Sequence, residues 1–100
     1  TLGIGKNGFF MGTQLNINAG VGNSRTILFS PKLQETSEYC KLSIWVHISS
    51  LSSLTIYFTR EVNFKFLKRV SGDMSKNVWE NYLINIGEFP AGYQLEMIAY

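Results

Sequence analysis

Between Tyr39 and Ile48 the chain alternates strictly: Leu42, Ile44, Val46 and Ile48 occupy every second position, with Lys41, Ser43, Trp45 and His47 between them. Successive side chains of a strand point to opposite faces of a sheet, so a period of two over this length specifies a strand with one half-buried face. The period returns in Leu54, Ile56 and Phe58, set against Thr55, Tyr57 and Thr59. A serine-rich turn from Ser49 to Ser53 lies between the two segments. Together they read as consecutive antiparallel strands.

The rest of the chain is built in the same way, from short segments separated by turn residues. Gly3, Gly5, Asn7 and Gly8 lead into an expected strand from Phe9 to Leu15, and a polar, glycine-rich loop follows from Asn16 to Ser24. Thr26 to Phe29 is a second strand, closed by Ser30 and Pro31. Pro31 has no N–H to give, so pairing should stop there or lie on an edge. Val62, Phe64 and Phe66 keep the period of two with Asn63 and Lys65 opposite, and Ser71, Gly72 and Asp73 form a turn. Trp79 to Ile86 is a further strand, and Gly87 to Gly92 is a turn containing Pro90. Finally Tyr93, Leu95, Met97 and Ala99 alternate with Gln94, Glu96, Ile98 and Tyr100. No window has the period of an amphipathic helix. Many short strands with turn signals between them predict an all-β sandwich. At 100 residues the chain supplies one domain and not two. The last strand runs to Tyr100 without a closing turn, and an unpaired apolar edge is a poor place for a domain to stop, so the complete domain is expected to be longer.

Composition narrows the function. Charged residues are 16% of the chain and aromatics 14%, which excludes a disordered tail. A net charge of +2 is too small for nucleic-acid binding. No apolar run approaches the roughly 18 residues of a membrane span, and no signal peptide opens the chain. The missing signal carries no information about compartment.

Several motifs fail their context tests. Gly3, Gly5 and Gly8 match G-x-G-x-x-G, but a dinucleotide site needs a strand before the glycines and a helix after them, and here Phe9 begins a strand. Asp73 is the only aspartate, and Glu35 and Glu38 are two loop carboxylates where calcium wants several converging oxygens. No metal or cofactor is expected. Glu80 and Glu96 sit on different late strands, and nothing places them at the separation that glycoside hydrolysis needs. His47 is the only histidine, seven residues from Cys40 and on the opposite face, so no thiol–imidazole pair is expected. No catalytic residue is assigned.

Three features remain open. Arg60, Lys65, Lys68, Arg69 and Lys76 gather the basic charge, which fits either an anionic partner such as a glycosaminoglycan or a wet strand edge guarded by charge. Trp45, Trp79, Tyr57 and Tyr82 could line a sugar platform, although aromatics in a small sandwich usually fill the space between sheets. Cys40 is the only cysteine. It is a buried free thiol or half of a bridge whose partner lies elsewhere.

The order of these segments resembles a known family. "ILFSPKL", then "CKLSIWVHISSLSSLTIYF", then "VWENYLINIGEFPAGYQLEMIAY" are similar to the middle and later part of a MAM domain, the extracellular module of meprins, neuropilins and receptor-type tyrosine phosphatases. The matching residues are Ser30 and Pro31, Cys40 with Leu42, Ile44 and Trp45, then Leu54, Ile56 and Tyr57, then Trp79, and last Tyr93, Gln94 and Leu95. "GKNGFFMGTQLN" resembles the family's earlier glycine-led strand. The segment from Phe58 to Trp79 departs from the pattern, lacking the glycine and tryptophan usual before the late strand.

The resemblance implies a jelly-roll β-sandwich over residues 1–100, incomplete at both ends, in the ectodomain of a membrane or secreted protein. It implies adhesion or oligomer assembly without catalysis, through another extracellular protein or a second copy. A carbohydrate- or glycosaminoglycan-binding sandwich using Arg60, Lys65, Lys68 and Arg69 is the alternative. The implied extracellular setting also favours a bridge from Cys40 to a cysteine outside the chain.

Overall fold

The computed structural model describes Gly12 and residues 25–49, 51–72 and 78–100. The expected strand from Phe9 to Leu15, the three early glycines, Asp73 and Lys76 lie outside the described residues.

Among the described residues six strands appear in chain order: β1 (Thr26–Phe29), β2 (Lys41–Val46), β3 (Ser53–Arg60), β4 (Asn63–Ser71), β5 (Glu80–Asn85) and β6 (Gln94–Ala99). They form two antiparallel sheets, one ordered β1-β6-β3-β4 and the other β2-β5. The alternation of the sequence places each strand's apolar half inward. Ile56 and Phe58 of β3 are 0% exposed. They join Leu95, Tyr93, Ile84 and Ile86 in the core, with Leu42 and Ile44 of β2 packed against it. Both sheets contribute to this cluster, so the architecture is a sandwich of two antiparallel sheets. Core side chains in such a layer stabilise by roughly 1.5–3 kcal/mol each on full burial.

The pairing corrects the expected hairpin. β2 and β3 are consecutive in sequence, yet β2 pairs with β5 and β3 pairs with β4 and β6. Alternation fixes which face a residue occupies and leaves the neighbour open, and the segment after β2 carries the chain from one sheet to the other. The expectation of an unpaired last strand is also corrected. β6 lies between β1 and β3, and Tyr100 exchanges two backbone hydrogen bonds with Ser53.

Ser30 shows how a strand can end at proline without losing its partner. Its N–H donates to the Leu95 carbonyl at 2.9 Å. Its hydroxyl accepts from the Leu95 N–H at 2.8 Å. The side-chain oxygen thus extends the β1–β6 ladder to the residue before Pro31, where no further N–H exists.

β4 is longer than the alternation of Val62 to Phe66 foretold, reaching Ser71. The register against β3 steps from Tyr57↔Phe66 to Ile56↔Lys68, so Leu67 is an extra residue in a β-bulge. The bulge decides where the basic residues point.

Candidate functional site

Residues directly opposite on neighbouring strands share a face. Lys65 stands opposite Phe58 and Lys68 opposite Ile56, both core residues, so the two lysines lie on the inner face of β4. Being on the end strand, they reach out across the open side of the sandwich toward the other sheet. Lys65 Nζ donates to the Ile86 carbonyl at 2.8 Å and lies 5.6 Å from the Phe89 ring centroid. Lys68 Nζ is 5.5 Å from the centroid of Tyr82. Arg60 places its guanidinium carbon 5.1 Å from the Tyr93 centroid and donates to the Ala91 carbonyl at 3.1 Å. Contacts of this kind contribute about 0.5–1 kcal/mol each at exposed positions. Arg60, Lys65 and Lys68 are therefore brought together along one side, each over a ring. Arg69 is set apart, opposite Thr55 on the outer face.

Two of the rings beneath these cations, Tyr93 and Phe89, form one cluster with Phe58. Phe58 stacks on Tyr93 with centroids 5.1 Å apart and meets Phe89 edge-on at 5.1 Å. Phe89 is held by Thr36, whose hydroxyl donates to the Gly87 carbonyl at 2.6 Å and accepts from the Phe89 N–H at 2.8 Å. Gly92, at φ +103, lets the loop before β6 pass close to Arg60: a Cβ there would lie 3.2 Å from Arg60 Cδ.

The outer face of the four-stranded sheet carries a second set of rings. Phe64 and Phe66 are 71% and 53% exposed. Each meets Tyr57 edge-on, with centroids 5.9 Å apart. The register places Phe29, Glu96, Tyr57 and Phe66 in one row across all four strands. Sequence reasoning missed Phe64 and Phe66 as outward residues. The available signal was the run Leu67-Lys68-Arg69, where the period of two breaks and marks the bulge.

The four candidate platform aromatics do not gather. Trp45 is 49% exposed on the outer face of the two-stranded sheet, rather than between the sheets as small sandwiches usually have it. Tyr57 is on the far side of the molecule, Tyr82 faces Lys68, and Trp79 packs at a tilt of 60° against His47. Glu80 accepts a 2.6 Å hydrogen bond from the Tyr82 hydroxyl, whereas Glu96 is on the outer face of the other sheet, so the two carboxylates do not converge. The Glu80 hydrogen bond, then burial, then the Glu80 charge raise the Tyr82 phenol above its ordinary value of 10.0. Among the described residues no group of three or more His, Cys, Asp or Glu is placed to hold a metal ion.

Cys40 carries a free thiol, half-buried and packed against the core just before β2. Its carbonyl accepts from the N–H groups of Ile86 and Gly87, which ties the start of β2 to the end of β5.

Comparison with protein families matches the chain to the MAM domain, meprin/A5/mu, over residues 3–100. Comparisons with curated proteins and with solved structures return no match. MAM domains are jelly-roll β-sandwiches and extracellular, adhesion-type modules without enzymatic activity, and the two sheets described above agree with that fold. Among the described residues no helix is long and apolar enough to cross a membrane.

Proposed function

This chain belongs to the MAM domain family, and from that membership we propose that it is a non-catalytic recognition module of an extracellular protein, acting through contact with another protein. The observation that carries this reading is the outer face of the four-stranded sheet, where Phe64 and Phe66 expose most of their rings beside Tyr57. Large exposed rings clustered on one face are a feature of interaction surfaces more than of ordinary solvated ones.

The test is binding of the purified, multivalent domain to cell surfaces. Binding lost after trypsin treatment of the cells and unchanged by heparinase supports protein recognition. The reverse pattern supports the glycosaminoglycan reading, which the alignment of Arg60, Lys65 and Lys68 along one side favours. Few surface charges hold a polyanion weakly, since salt screens them over about 10 Å at 0.1 M. Retention on heparin well above physiological salt would overturn the protein reading.

The proposal includes Cys40. In an oxidising compartment its thiol pairs with a cysteine outside this chain, which has no second one. Mass spectrometry of the longer secreted or membrane protein without reduction should recover Cys40 in a disulfide. A free thiol there would overturn the bridge.

A further inference from the structure

We infer that the outer face of the two-stranded sheet is a binding site for a neutral, β-linked sugar, with Trp45 as its platform and Ser43 and Asn81 as its polar contacts. The site lies on the other sheet from Phe64 and Phe66, and the inference does not depend on the recognition reading above.

The β2–β5 register builds the site. Trp45 stands opposite Asn81, and Ser43 opposite Leu83, one step along the same face. All four are exposed, Trp45 by 49%. Their neighbours in sequence, Ile44, Tyr82 and Ile84, turn inward to the core. The indole is thus carried on two paired strands whose other side is packed. A ring held on strands is placed more precisely than one on a loop.

The polar pair beside the ring is already oriented. Asn81 Nδ2 donates to Ser43 Oγ at 3.1 Å and to the Ile44 carbonyl at 3.2 Å. A carbonyl only accepts, so the second bond fixes which way the amide faces. With both N–H groups of Asn81 directed at β2, its Oδ1 is left to accept from outside. Ser43 accepts the bond from Asn81, which leaves its own O–H to donate. The exposed indole therefore has an acceptor and a donor at its side.

The chemistry of the occupant follows. The face of an aromatic ring is electron-rich and attracts weakly positive C–H groups. A gluco-configured β-pyranose has axial C–H groups on both faces and hydroxyls round its rim, and each hydroxyl both donates and accepts. Such a ring lies flat on Trp45 while its rim meets Asn81 Oδ1 and Ser43 Oγ. Leu83 extends the apolar surface beside Ser43. Small-molecule sites combine apolar surface with a few placed polar groups in this way. The contacts are uncharged, so the ligand is neutral: β2 carries one cation, Lys41, at the opposite end of the strand from Trp45.

The probe is cellobiose, titrated into the chain and followed by NMR, with glycerol at matched hydroxyl concentration as the control. Cellobiose should shift the Trp45 indole and Asn81 side-chain amide resonances saturably. The dissociation constant should be millimolar, because one open ring buries little of the ligand. Added salt should leave binding unchanged, unlike that of a polyanion. Trp45→Ala should weaken binding at least about tenfold, and Trp45→Tyr, which keeps a smaller ring, should weaken it less. Ser43→Ala should weaken it severalfold. Each variant's thermal midpoint should stay within a few degrees, since these side chains are exposed. Shifts no larger than with glycerol, shifts centred away from Trp45, or full binding by Trp45→Ala would overturn the inference. So would an inert cellobiose together with loss of trypsin-sensitive cell binding in Trp45→Ala, which would make this face a protein contact. Cellobiose bound through Trp45 by a chain whose cell binding resists trypsin keeps the sugar site and removes the protein reading.

Discussion

Lys65 of the four-stranded sheet donates a 2.8 Å hydrogen bond to the carbonyl of Ile86, which follows the last strand of the other sheet. One long side chain thus spans the open side of the sandwich between two elements with few other contacts. Lys65→Met keeps the stem and removes the charge and the bond. Because the side chain is largely exposed, the cost is small, about 0.5–1.5 kcal/mol. Urea unfolding measures it, and amide exchange in β4 should quicken.

Thr36→Val removes two hydrogen bonds at nearly constant volume, leaving the Gly87 carbonyl and the Phe89 N–H without that partner. Half-buried groups left unpaired cost about 1–3 kcal/mol. Phe89 should also loosen from Tyr93, visible as averaging of its ring resonances.

The core assignment separates two apolar residues that composition treats alike. Ile56→Ala, at a site with 0% exposure, should cost about 2–5 kcal/mol in a denaturant melt. Leu83→Ala, on the outer face of β5, should stay within about 0.5 kcal/mol. Equal effects would place the faces wrongly.

Gly92→Ala is expected to destabilise by more than about 1 kcal/mol, because alanine is strained at a positive φ. The new Cβ would also press on Arg60 Cδ at 3.2 Å. Arg60→Ala in the same background should relieve the contact and leave the backbone strain, so a cycle of the four proteins separates the two causes.

Tyr82 makes the stability depend on pH at the alkaline end. Its phenol is held above its ordinary value of 10.0, chiefly by the hydrogen bond to Glu80. A pKa raised on folding means that the folded state holds the proton more tightly. The resulting stabilisation is whole below the unfolded value and is lost as pH rises through the folded one. Phenolate absorbance should therefore show a late-titrating tyrosine that Glu80→Ala advances.

Much of this fold was legible in the residues. The alternation from Leu42 to Val46 and from Leu54 to Phe58 gave both strands and their inward faces, and Pro31 marked the end of β1. Partnership was not legible, since Leu42 carries the same pattern whether its neighbour is β3 or β5. The inward turn of Lys65 and Lys68 was hidden for a different reason. A lysine reads as solvent-facing, yet its four-carbon stem lies along apolar surface while the head finds a carbonyl or a ring. Those acceptors, Ile86 and Phe89, are more than 20 positions away, and only the folded chain brings them near. Thr36 has the same character: nothing local to it announces Gly87 and Phe89.

The central place of β6 has a consequence for how the chain matures. On a ribosome, β6 emerges after the other five described strands, yet among the described residues β1 pairs with β6 alone and β3 has β6 on one whole side. Among the described strands, β3–β4 is the pair in that sheet that can close from nearby sequence. β1 must wait through the synthesis of the four strands between it and β6. Such distant pairing folds slowly and leaves unpaired strand exposed meanwhile. A release of the nascent chain before Gln94 would leave, of the described strands, a hairpin, a two-stranded ribbon and a β1 without its β6 partner. The last of the six described strands to be made is the one that joins β1 to the β3–β4 hairpin.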